Sequence, residues 1–166
     1  MMLVNAVVGI IQLLFAILFS VIALYIGYSV FGKITKGIDE EKEISKGNAA
    51  IGILIASVFI AIAIVVQSGV AGLSTGIGTA LNVGIFTVEG LAAIGAAFLQ
   101  LILGIALAVI AIYLALNVLD RLTKGIDEFK ELQKGNVAVA LEMAGVIIAV
   151  AVIIQSGVMG ITAALI

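Results

Sequence analysis

Residues 35–48 read TKGIDEEKEISKGN, and residues 123–136 read TKGIDEFKELQKGN. The chain around them is 64% hydrophobic, yet nearly all of its charge is gathered in or beside these two stretches. The spacing between the copies is 88 residues, and the chain aligns with itself at that offset without a gap. Between residues 35–70 and 123–158, 21 of 36 positions are identical. Gln12 matches Gln100, Tyr25 matches Tyr113, and Asn48 matches Asn136. The chain therefore divides into a first two-helix hairpin (1–78), a connector outside the cytoplasm (79–88) and a second hairpin (89–166).

Composition sets the class. A mean hydropathy of +1.39 with 11% charged residues lies far from soluble domains. Four apolar runs, Leu3 to Phe31, Ala49 to Ala71, Leu91 to Leu119 and Val137 to Ile166, contain no proline. Each is long enough to cross a ~30 Å hydrocarbon core at ~1.5 Å per helical residue. Helices satisfy their own backbone hydrogen bonds in lipid, whereas an open sheet does not. The expected fold is an all-α integral membrane protein, its four transmembrane helices forming two tandem hairpins inserted in the same orientation. The first run lacks a basic leader and is too long for the apolar region of a signal peptide, so it is expected to be retained.

All eight Lys/Arg fall in the two inter-helix loops, as Lys33, Lys36, Lys42, Lys46, Arg121, Lys124, Lys130 and Lys134. The positive-inside rule then expects a plasma (inner) membrane protein with both loops cytoplasmic and both termini outside. Each loop also holds four acids, so neither is a polybasic patch for lipid headgroups or nucleic acid. Lys-Gly (Lys46-Gly47, Lys134-Gly135) suits a helix end with glycine just past it. Asn48 and Asn136 suit the N-cap of the next helix. Ile34, Ile38 and Phe129 are expected to line an apolar face resting on the membrane surface.

The chain has no cysteine and no histidine. Disulfides, thiolate nucleophiles, iron–sulfur clusters and most zinc sites are thereby excluded. No base, nucleophile and orienting group converge, so no enzyme, cofactor or metal centre is expected.

The stretch YLALNVLDRLTKGIDEFKELQKGNVAVAL (Tyr113 to Leu141) resembles domain-of-unknown-function family 350, small inner-membrane proteins built from tandem two-helix units. TKGIDEEKEISKGNAAIGI in the first half resembles the same motif. The resemblance covers both halves and implies a four-helix integral membrane protein. It implies no activity.

Two sets of polar residues stand inside the apolar runs. Gln12, Gln67, Gln100 and Gln155 each lie 19 residues from the loop end of their run, ~28 Å up at ~1.5 Å per residue. They are read as an interhelical polar level in which the two glutamines of a hairpin satisfy each other; in a pore they would form a constriction. Glu142 is the one acid well inside a run, and its counterpart in the first half is Leu54. An intramembrane carboxylate is a functional-site hypothesis by default. Glu142 and Tyr113 fall at one depth, so Glu142 is expected protonated at a helix–helix contact, with a backbone carbonyl or Tyr113 in reach, the alternative being a structural side chain that snorkels to the interface. Tyr25, Tyr28 and Tyr113 also suit an interfacial aromatic belt. Small residues four apart (Ala92/Ala96, Ala93/Ala97, Gly104/Ala108, Ala140/Ala144) are read as packing surfaces.

The function these features favour is a structural or accessory membrane protein, surrounded by lipid, that self-associates as a homo-oligomer or joins a membrane complex. The alternative is an oligomeric channel or ion pathway using Glu142, including a ring like those of rotary proteolipids. The first and third runs lack the repeated glycines that pack the inner helices of such rings.

Overall fold

A computed structural model describes residues 2–34, 37–123 and 125–165. Among these, every regular element is an α-helix. Long helices α1 (Met2–Ile34), α3 (Ala49–Val83), α4 (Val88–Leu122) and α6 (Val137–Leu165) alternate with short helices α2 (Glu40–Ser45) and α5 (Glu128–Gln133). Each of the four long helices contains a stretch long and apolar enough to cross a membrane. The protein is thus an all-α, multi-pass membrane protein.

The charged loops are built as the sequence reading expects. Asp39 and Asp127 cap the short helices by accepting from the backbone N–H groups of Lys42 and Lys130, at 3.0 and 3.1 Å. Gly47 and Gly135 follow with φ of 78° and 81°, a left-handed region in which a Cβ is disfavoured. Asn48 then accepts from Ala50 and Ile51 N–H to start α3, and Asn136 accepts from Ala138 and Val139 N–H to start α6. Two of the apolar loop residues expected on the membrane surface are instead buried. Ile38 is 5% and Phe129 8% exposed, both within the main buried cluster. Helices α2 and α5 fold back over the ends of α3 and α6, which offer these side chains a packed apolar site. The side chain of Ile34 lies outside the described residues.

Helix α3 is the central element. Its most extensive contacts are with α6 and α4, across the repeat boundary; α4 also packs on α6, and α1 packs chiefly on α3. Ala50, Leu54, Ala61 and Ile147, all 0% exposed, lie in this core. Between apolar helices in lipid, association comes from close packing, which small residues allow. On α3, a Cβ added to Gly76 would stand 2.7 Å from Ala97 Cβ and 2.8 Å from the Ala93 carbonyl oxygen. Gly104, Ala108, Ala140 and Ala144 are buried as packing residues, while Ala92 is exposed. Phe19 meets Phe98 edge to face at 5.3 Å, linking α1 to α4.

The stretch expected as a ten-residue connector is mostly helix. Thr79 to Val83 complete α3 and Val88 opens α4, leaving a turn at residues 84–87. Gly84 has φ of 102°. Thr87 caps α4 by accepting from Gly90 N–H at 3.0 Å and donates its hydroxyl to the Gly84 carbonyl at 2.7 Å. Glu89 in the first turn of α4 complements the helix dipole. With 35 residues each, α3 and α4 are ~50 Å long and exceed a ~30 Å core, so they tilt or project beyond it.

Candidate functional site

The charged loops and the polar residues that the sequence singles out fall in three places. At the charged end, the cap asparagines also tie the loops. Asn48 Nδ2 donates to Glu43 at 3.1 Å and to the Leu132 carbonyl at 2.9 Å, joining the first repeat to the loop of the second. Asn136 Nδ2 donates to Glu131 of its own loop at 2.9 Å. The Lys46 ammonium and the Asn48 amide hold the Glu43 carboxyl below its ordinary value. Asn136 and Lys134 do the same for Glu131. The Asp127 carboxylate raises Lys130. Glu128, one of the four acids of its loop, is 1% exposed; only the fold of α5 onto α3 and α6 reveals this.

The second place is the glutamine level. Gln100, 5% exposed, donates Nε2 to the Val158 carbonyl at 3.2 Å, clamping α4 to α6. Gln12 donates to the Ser74 carbonyl at 3.4 Å, linking α1 to α3. Each therefore reaches the backbone of the second long helix of its own repeat rather than the other glutamine. A helical carbonyl keeps a second lone pair after its intrahelical bond, so it can accept from a side chain of a neighbouring helix. Gln67 is exposed and Gln155 half-buried. Beside Gly72 and Gln100, a cleft of about 310 Å³ runs between α3 and α4, with Thr79, Glu89 and Ala93 on its walls.

Glu142 is the third. It lies in the second turn of α6 on a face exposed in the single chain, with Ala138, Gly145 and Ala149 along the same stripe. Tyr113 is 48% exposed on α4. The two side chains form no hydrogen bond with each other, so the pairing that their common depth allowed is not made. Equal depth does not fix azimuth. Helix α4 presents Ile112 and Leu116 to the core and turns Tyr113 away. Tyr25 is 75% exposed, and Tyr28 packs on Phe59 at 5.9 Å. Among the described residues, no three acids gather as a metal site would need.

The four apolar helices, the repeated capped loop and the matching Gln12 and Gln100 clamps define a helical membrane protein made from one duplicated unit. The family model described as Domain of Unknown Function (DUF350) matches residues 2–105 and again residues 88–166. The chain belongs to the DUF350 family. No curated protein matches it. No solved structure matches it either.

Proposed function

We propose that this protein is a non-enzymatic structural or accessory component of the plasma (inner) membrane whose role is to assemble, with itself or with a membrane partner. Glu142 carries the reading. It sits in a stretch apolar enough to span a membrane, on an outward face, without a partner among the described residues. A carboxyl group facing acyl chains costs ~2.5 kcal/mol or more even on insertion scales. Contact with another protein surface removes that cost, and the small residues along the stripe permit close approach. The confinement of all Lys/Arg to the two loops supports loops in the cytoplasm and both termini outside.

The test is the native mass of the protein extracted in mild detergent and in lipid nanodiscs. The expected result is an oligomer, or a stoichiometric complex with a foreign subunit. A single chain in both media overturns the reading. If Glu142→Gln leaves assembly intact and abolishes an ion flux in liposomes, the ion-pathway reading replaces it.

A further inference from the structure

The duplication lets the two halves be compared position by position, and they are not equally covered. In the first half, α3 receives α4. Leu101, 1% exposed, lies on Gly69, its Cα 3.3 Å from where a Cβ there would stand. Gln100 lies beside Gly72, its Oε1 2.8 Å from where a Cβ there would stand. The equivalents, 88 positions away, are unoccupied surfaces. Gly157 and Gly160 on α6 have nothing within 4 Å of a Cβ. Leu13, the equivalent of Leu101, is 59% exposed on α1.

The charged end shows the same asymmetry. Asn48 bonds the Leu132 carbonyl across the repeats, and Leu132 is 0% exposed. The equivalent of Leu132 is Ile44, 48% exposed; the equivalent of Asn48 is Asn136, which bonds Glu131 of its own loop. Whole helices agree. Of the most apolar stretch, 6% is buried in α1 against 28% in its equivalent α4, and 33% in α6 against 56% in its equivalent α3. Leu13 and Ile44, uncovered in the first repeat, belong to the surface the second repeat uses against α3 and its cap. Gly157 and Gly160, uncovered in the second, belong to the surface α3 uses against α4. The two open surfaces do not close on each other within the chain, since α1 and α6 make no contact comparable to those around α3.

We propose that these are the two halves of one interface, and that a second copy of this chain docks head to tail, placing its Leu13 over Gly157 and its Ile44 loop against Asn136. The contact repeats between chains the packing that α3 and α4 make within one. It is heterologous, so it continues from copy to copy until it closes as a ring or extends as a filament. Glu142, whose equivalent Leu54 is 0% exposed, is covered in that contact. This inference rests on the self-association reading and specifies its geometry.

The absence of cysteine makes the test direct. In membranes under oxidation, a chain carrying both Gly69→Cys and Leu101→Cys closes an internal disulfide and serves as the control. Leu13→Cys copies co-expressed with Gly157→Cys copies are expected to form a disulfide dimer, and a chain carrying both substitutions a ladder. Neither single variant is expected to cross-link to itself. Gly157→Leu, which fills space that is open in the single chain, is expected to abolish the oligomer while the thermal transition of the chain is retained. Self-cross-linking of a single variant, or an oligomer of unchanged mass in Gly157→Leu, overturns the head-to-tail contact and leaves self-association standing. A stoichiometric foreign subunit covering Gly157, without the mixed dimer, likewise overturns it. A wild-type chain that is a monomer in nanodiscs, with no mixed dimer although the control closes, overturns both.

Discussion

Individual side chains differ in weight according to what they face. Gly76 has Ala97 Cβ and the Ala93 carbonyl within 3 Å of a would-be Cβ. Gly76→Leu therefore forces α3 and α4 apart, and we expect a loss of about 1–3 kcal/mol in a denaturant or thermal titration in detergent. Gly95 lies equally within α4 but has open space around it, so Gly95→Ala should leave stability unchanged or raise it by up to about 1 kcal/mol. The glutamines separate in the same way. Gln100→Leu removes a buried bond to Val158, at an expected cost of about 0.6 kcal/mol and at most about 1.7. Gln67 is exposed, and Gln67→Leu should leave the unfolding of the single chain unchanged. Equal losses for the two substitutions would contradict this assignment.

At the scale of elements, the capped loop is the most regular unit. Both copies use an Asp cap, a glycine at positive φ and an Asn that starts the next helix. Asn48→Ala and Asn136→Ala each lose a cap, about 1 kcal/mol. Asn48→Ala also loses the bond to Leu132, so it should cost about 0.5–1.5 kcal/mol more. Equal costs would show that this link between repeats contributes nothing. The loops carry a pH dependence as well. Glu43 and Glu131 are held below the ordinary carboxylate value of 4.5 in the folded loop. A carboxyl lowered on folding contributes stability that is present above its unfolded value and lost as pH falls through its folded value. Amide exchange at Gly47 and Gly135 should therefore accelerate as pH drops below 4.5, after correction for intrinsic exchange. Glu43→Gln and Glu131→Gln should flatten that dependence, and the exposure of their Lys46 and Lys134 partners keeps it small.

At the scale of the whole molecule, the decisive features are charge distribution and unequal coverage of the repeats. Cysteines placed at Lys42 and Lys130 should react with a membrane-impermeant reagent only from the cytoplasmic side, and one at Thr79 only from outside. Labelling of either loop from outside would reverse the proposed orientation. What the sequence determined by itself is what depends on neighbours along the chain. Hydropathy over successive turns defined four spanning helices, and the 88-residue repeat defined the duplicated unit. The Lys-Gly and Asn pattern marked where each loop helix ends and the next helix starts, because caps are contacts between residues two to four apart; the Asp39 and Asp127 caps came from the structure. Whatever depends on azimuth and partner choice needed the tertiary structure. Residue spacing gives depth at ~1.5 Å per residue, which placed Glu142 level with Tyr113 but could not say that they face apart. It placed the glutamines at one level but not on backbone carbonyls. Two nearly identical halves also read alike in one dimension. Only packing distinguishes Leu101, buried on Gly69, from Leu13, left open, because the inner surfaces of the two repeats meet each other and the equivalent outer surfaces do not.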